Sequence, residues 1–236
     1  MVPPSLETGA FKRGPGGRPT QAEAKRRHVA LLETAMGVFL ARGWDAASID
    51  EIAKQAGVAK RFLYARYRDK SELFAAAVEH MISEKLQELH AFQPPPRRRA
   101  ELGLVEFGRK LRATATAPDG LALMRLFIAA APKFPGLAQR FYDRNRRRGI
   151  SEVERVLAFY AERGEIELKQ PQLMAEQFVM SVAGIAQRLA LFGIRETPEE
   201  EERRLRAAVR LFLDGCRVGP GSDQNGRASS ARARPD

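Results

Sequence analysis

The sequence predicts an all-α protein of about nine helices. Three observations lead there. Apolar residues recur at intervals of three and four in one segment after another, as on the buried stripe of a helix. Breaks containing glycine or proline separate these segments. Strict alternation of apolar and polar residues is confined to Glu165–Lys169, which is too short to build a sheet.

The first helix is expected over about 22–41, from the spacing of Val29, Leu32, Met36, Phe39 and Leu40. Gly43 closes it and Trp44 packs beneath the turn. Lys25, Arg26 and Arg27 stand at its start, where cations oppose the helix dipole and a nearby phosphate would offset that. Ser48 and Glu51 have the spacing of a capping box, and Ile49, Ile52, Ala53 and Ala56 fall on one face of the helix that follows. Gly57 ends it, because a backbone at positive φ suits a residue without Cβ. A second short helix runs over about 59–67. Small Ala53 and the Gly57 turn let the two cross closely, the geometry of a helix-turn-helix. Asp69 and Glu72 start the next helix, about 70–90, with Leu73, Phe74, Ala77, Val78, Met81, Ile82, Leu86 and Leu89 on its inner side.

On the 59–67 helix, Leu63 and Tyr67 share an inward face. Arg61, Ala65 and Arg68 point away from it, flanked by Lys60 and Tyr64. A short helix with a basic, aromatic outer face has the size and charge to enter a DNA major groove. There Arg61 can fork onto a guanine edge and the Ala65 methyl can touch a thymine methyl. Lys60, Tyr64 and Lys70 suit phosphates, which position a protein without reading sequence. An ordinary amphipathic helix with a solvated charged face fits the same pattern. The charge balance bears on the choice. The chain of 236 residues has 40 basic and 29 acidic residues and a net charge of +11. From Lys12 to Lys70 there are 13 basic and 6 acidic residues, so most of the surplus sits in the first third. Residues 1–20 are rich in Pro and Gly and read as a disordered basic arm. Arg18 in this arm can lie in a minor groove, although an unstructured start with a few charges reads the same way.

The run Ile-Ala-Lys-Gln-Ala-Gly-Val-Ala-Lys-Arg-Phe-Leu-Tyr-Ala-Arg-Tyr-Arg-Asp-Lys-Ser-Glu-Leu-Phe, residues 52–74, resembles the N-terminal signature of TetR-type transcriptional regulators. The resemblance is specific over residues 26–74 and extends by helix pattern alone to Cys216. It implies an all-helical homodimer with a three-helix DNA-binding head over 21–75. A ligand-sensing and dimerising body would cover 76–216, and repression is usually relieved by a small molecule. It also implies that Ser48, Tyr64 and Lys70 contact phosphate and that the helix around Lys60 and Arg61 reads bases. Phe62 stands where the family most often has Thr or another small polar residue. That removes a hydrogen-bond donor and leaves the operator open. Tyr67 in place of the usual Phe is a mild departure.

Beyond the head, Pro94, Pro95 and Pro96 mark a loop, with Ala91 near the domain boundary and Arg97, Arg98 and Arg99 as a solvated helix start. Helices are expected over about 99–116, 121–131 and 136–163, the last stopped by Gly164. Two more cover about 171–192 and the stretch from Thr197 to near Cys216. Phe178, Val179, Val182, Ile185, Ala186 and Leu189 make a broad apolar face on the first of these. Leu205, Ala208, Val209 and Phe212 make a stripe on the second. Two such helices from each of two subunits would form a four-helix bundle, or both close the core of a single chain. Met124, Phe127, Phe134, Phe141, Phe178 and Gln187 are the candidates to line a pocket between body helices for a hydrophobic or aromatic effector, or are plain core. Residues 217–236 read as a disordered tail.

Catalysis finds no support. There is no GxxxxGK[ST] loop, no GxSxG elbow and no HExxH, so neither a catalytic residue nor a cofactor is expected. His28, His80 and His90 do not cluster at metal-ligand spacing, and His80 and His90 read as helix-surface residues. The single cysteine, Cys216, allows no intramolecular disulfide, which suits a reducing cytoplasm. The most apolar stretch, Met174–Phe192, is broken by Glu176, Gln177, Gln187 and Arg188, so no membrane span is expected. The expected function is sequence-specific regulation of transcription by a repressor that a small hydrophobic ligand releases from a palindromic operator. The alternatives are a ligand-independent architectural DNA-binding protein and a helical enzyme.

Overall fold

The computed structural model describes residues 20–132 and 135–216. The basic arm with Arg18, the candidate Phe134 and the tail from 217 lie outside these residues. The order is α1 (Gln21–Ala46), α2 (Ile49–Gln55), α3 (Lys60–Arg66), α4 (Lys70–His90), α5 (Ala100–Ala115), α6 (Pro118–Ala130), α7 (Pro135–Glu162), α8 (Pro171–Val179), a π turn (Met180–Gly184), α9 (Ile185–Leu191) and α10 (Pro198–Cys216). With α8, the π turn and α9 running on as one rod, the described residues form nine helices and no strand.

The described chain divides into two compact units. One holds residues 20–87 with 122–143, the other 88–121 with 144–216. In the first, α1 starts within one residue of the expected position, and runs on to Ala46 rather than 41. Thr20 and Glu23 form a reciprocal capping box at its start, each side chain taking the other's backbone N–H. The rod is broken at Gly43, whose φ of 76° no Cβ-bearing residue adopts easily. The break turns Trp44 back under the helix. Trp44 lies 5.9 Å from Phe39 and 5.1 Å from Phe74, and Phe39 and Phe74 meet edge to face at 4.8 Å. Phe127 of α6 closes this aromatic cluster at 5.6 Å from Phe74. Each fully buried ring of this kind stabilises by about 1.5–3 kcal/mol.

Ser48 caps α2 as expected, accepting the Glu51 N–H at 3.1 Å. The reciprocal half of the expected box is absent: the Glu51 carboxylate instead takes Arg42 Nε and Gln55 Nε2, each at 3.2 Å. Gly57, at φ 65°, makes the turn into α3. Ile52, Leu63 and Tyr67 close the α2–α3 pair inward. At the start of α4, Asp69 Oδ1 takes the Glu72 N–H and the Glu72 carboxylate takes the Arg68 N–H, so both side chains serve one helix start.

In the second unit, α5 packs on α10 and on the π turn. Gly108 makes this possible, since a Cβ there would stand 2.7 Å from Leu205 Cδ1. Gly103 likewise gives its space to the Tyr160 hydroxyl, which is buried without a hydrogen-bond partner. α6 begins at Pro118, three residues before the start at 121 that the sequence pattern predicts, because proline is tolerated in a first helical turn. Arg155 Nη2 donates to the carbonyls of His90 at 3.2 Å and Phe92 at 2.9 Å and so ends α4. Buried Arg112 donates to the Glu201 carbonyl at 2.6 Å and faces Glu196 at 3.5 Å, joining α5 to the first turn of α10 and to the segment before it.

Candidate nucleic-acid interface

Helix α3 is two turns long and offers its outer face to solvent. Leu63 is fully buried and Tyr67 is nearly so, while Lys60, Arg61, Phe62, Tyr64, Ala65 and Arg66 are all exposed. This is the division that the spacing of Leu63 and Tyr67 predicts. Arg66 is exposed as well, but its charge acts on Tyr67 and His28 at the back of the helix.

The exposed groups are not equivalent. Lys60 Nζ sits 2.6 Å from Asp50 of α2 and 5.8 Å from the centre of the Tyr64 ring. The Asp50 hydrogen bond holds the Lys60 ammonium above its ordinary pKa. Lys60 therefore links α2 to α3 while remaining open to a phosphate. No spacing rule connects Asp50 with Lys60, so this pair was not legible in advance. Ser48 is exposed, and with its oxygen accepting from Glu51 its hydroxyl proton is free to donate outward.

Lys70 departs from its expected surroundings. Its ammonium donates to the carbonyls of Trp44 at 2.7 Å and Ala47 at 3.0 Å, and reaches that of Asp45 at 3.5 Å. It also lies 5.0 Å over the Trp44 ring. These are the orphaned carbonyls at the end of α1, where a cation is favourable. The side chain thus ties the start of α4 to the end of α1, and its three donors are directed into the protein.

Behind α3, His28 of α1 stacks on Tyr67 with ring centres 6.3 Å apart, and the Tyr67 hydroxyl stands 3.5 Å from His28 Nδ1. Burial pushes the His28 imidazole below its ordinary pKa, and the charges of Arg66 and His80 act in the same direction. His80 is not the surface residue its position suggested. Its Nε2 is buried without a hydrogen bond, 3.9 Å from Glu33 and 3.6 Å from Glu84. When protonated it joins α1 and α4 through these two carboxylates. His90 is exposed and contacts Glu152 at 2.9 Å.

The candidates for effector binding fall in both units. Met124 and Phe127 belong to α6, with Phe127 buried in the aromatic cluster and Met124 partly exposed. Phe178 is fully buried against Phe212 at 5.0 Å, and Gln187 Nε2 donates to the Ala115 carbonyl at 3.3 Å. Phe141 lies on α7, and its side chain is outside the described residues.

Residues 31–77, which contain α2 and α3, match the family model described as bacterial regulatory proteins, tetR family. Residues 102–215 match the model described as AefR-like transcriptional repressor, C-terminal domain. The chain belongs to the TetR family. It is a DNA-binding transcriptional regulator and not an enzyme. Among curated TetR relatives, the HTH-type transcriptional activator FasR of Mycolicibacterium smegmatis is 40% identical over 80 residues, which are 33% of this chain and 36% of that protein. The HTH-type transcriptional regulator AcrR of Shigella flexneri is 38% identical over 58 residues, 25% of this chain and 27% of its own. These matches thus span well under two thirds of the relatives' length. A solved TetR-family regulator from Mesorhizobium loti is 27% identical with a TM-score of 0.68, covering 83% of this chain and 98% of that one. The flavonoid-responsive regulator FrrA is 28% identical with the same TM-score of 0.68, covering 82% and 98%. Among the described residues no helix is long and apolar enough to cross a membrane.

Proposed function

We propose that this TetR-family protein is a cytoplasmic homodimeric repressor that leaves a palindromic operator when a small hydrophobic ligand binds its body. The observation that carries the reading is the outward face of α3, cationic and aromatic and backed by buried Leu63 and Tyr67. In a dimer, two such helices enter successive major grooves about one helical turn apart. Arg61 and Ala65 face base edges, Phe62 lies between them on the same surface, and Lys60, Tyr64 and Ser48 hold phosphates. Arg18 follows the adjacent minor groove.

Pairing is assigned to the outer surface of α8–α10. There Phe192 is 78% and Leu211 75% exposed, together with Met180, Leu173 and Ile185. Apolar side chains of this size, left open on neighbouring helices, suit a second copy of the chain. Phe178, Val182 and Ala186, which the apolar pattern offers for the same role, are buried within their own unit and form part of its core.

A repressor is favoured by the description of the model matched over 102–215. A hydrophobic, aromatic effector is favoured by the name of the flavonoid-responsive neighbour. Activation is the second reading, because the 80-residue match is to a protein named an activator. Selection of bound duplexes from a random pool at fixed salt, repeated with flavonoids and other planar aromatics, tests the proposal. A recovered palindrome that is released by one such compound supports it. Recovery of no duplex refutes it. A palindrome bound more tightly with the compound moves the reading to activation.

A further inference from the structure

The outer face of α3 carries a large apolar side chain. Phe62 is 47% exposed, and among the described residues its ring contacts no other ring and no cation. Leu63 and Tyr67 supply the buried side of α3, so the phenyl at position 62 leaves about half its surface as exposed apolar area. The neighbouring side chains are already directed: the Lys60 ammonium to Asp50, and the Tyr64 ring to the Lys60 ammonium. Ala65, one turn on from Phe62, is also exposed. Residues three apart on a helix stand about 5–6 Å from each other at Cβ. Phe62 and Ala65 therefore form a two-residue apolar strip on a helix that also exposes Lys60 and Arg61.

That combination has a specific complement. A phenyl ring neither donates nor accepts a hydrogen bond, so it cannot distinguish base edges by polar contacts. On the floor of the major groove, the apolar group it can meet is the C5 methyl of thymine, or the same methyl on a modified cytosine. The exposed cations of the same helix, Lys60 and Arg61, match the anionic walls of the groove. From this juxtaposition we infer that Phe62, together with Ala65, selects operators carrying 5-methyl pyrimidines at adjacent positions in each half-site. The inference rests on the reading of α3 as the helix in the major groove. Where a small polar residue would read a base through a hydrogen bond, this chain reads a methyl group through dispersion and desolvation.

The test uses the full chain and a duplex selected from a random pool. Each thymine is replaced in turn by deoxyuridine, which removes the methyl and leaves base pairing intact, and affinity is measured by fluorescence anisotropy at constant salt. One buried methyl-sized group contributes about 0.8 kcal/mol, or about fourfold in affinity. The wild type should lose about fourfold at one or two adjacent positions per half-site. Phe62→Ala should bind the thymine duplex more weakly and show no difference between thymine and uracil at those positions. Arg61→Ala should lose affinity yet keep that difference. Restoring the methyl as 5-methylcytosine paired with guanine at the same position should recover more affinity than cytosine does. Thermal unfolding of Phe62→Ala close to the wild-type temperature shows that the fold is intact. If a duplex is selected and every thymine can be replaced without effect, the methyl assignment is overturned while the regulator reading stands. It is equally overturned if Phe62→Ala keeps the full thymine preference. If no duplex is selected, the reading of α3 falls and this assignment with it.

Discussion

Lys70 has a structural duty that its charge does not advertise. With its ammonium on the carbonyls of Trp44 and Ala47, it closes the end of α1 and fixes the entry to α2. Replacing Lys70 by Met keeps the stem and removes the hydrogen bonds. It should cost about 1–2 kcal/mol, the net worth of hydrogen bonds to a charge reduced by partial exposure. Calorimetry should show a melting temperature lower by a few degrees. The slope of log affinity against log salt should stay unchanged, since the donors already face inward. A slope lower by about one would instead make Lys70 a phosphate contact. His28 gives a pH-dependent counterpart. Its pKa is depressed in the fold by burial and by Arg66 and His80, from an ordinary value near 6.5. The unfolded chain therefore binds the proton more readily. The stability contributed is complete above pH 6.5 and is lost as pH falls through the lower folded value. Melting curves from pH 7.5 to 5.5 should show a decline in the wild type that His28→Gln lessens. An identical decline in both proteins would remove His28 as its source. Neither residue could be assigned these roles from sequence. Local spacing shows a basic residue at a helix start, but not which distant carbonyls or rings it meets.

Among the elements, helix type and extent followed from periodicity and breaks almost everywhere. α4 occupies the expected residues, because Asp69 signals its start and apolar residues recur along its length. The exception is the rod from Pro171 to Leu191. Sequence placed Ile185 on the same face as Val182 and Ala186, which assumes an unbroken α-helix. At about 100° per residue, Ile185 would then lie roughly 140° around the axis from Met180. The π turn at Met180–Gly184 takes up one extra residue and brings that angle back to about 40°. Leu173, Met180, Ile185 and Phe192 consequently share the outer side, while Val182, Ala183 and Ala186 stay inside. No local signal distinguishes a π turn from an α turn in Met-Ser-Val-Ala-Gly, so the inner and outer faces were confused there. If this outer side joins two protomers, Leu211→Asp or Phe192→Asp should shift light-scattering mass from dimer to monomer at micromolar concentration. Far-ultraviolet circular dichroism should stay unchanged, because both side chains are exposed. A mass that remains dimeric in both variants would place the pairing elsewhere.

Across the whole molecule, the two compact units are each assembled from separated stretches of chain. A contiguous head was expected over 21–75 because its helices and its charge surplus are local properties. The contribution of residues 122–143 to the same unit depends on side chains that meet across some fifty residues of sequence. Phe127 shows the difficulty. An aromatic at helical spacing suited a ligand pocket equally well, and only its 5.6 Å approach to Phe74 assigns it to the aromatic cluster of α1 and α4. The N-terminal unit is therefore not a cassette. A fragment ending at Gln93 would keep every residue of the proposed DNA surface while stripping the cover from Phe74. It should bind the hydrophobic dye ANS and lose near-ultraviolet circular dichroism, and a fragment with a sharp, wild-type-like melt would contradict this. Anyone exchanging specificity between relatives by transplanting the first ninety residues would carry over the reading helix but leave behind part of its foundation. Such chimaeras call for Leu123, Leu126 and Phe127 to travel with the graft.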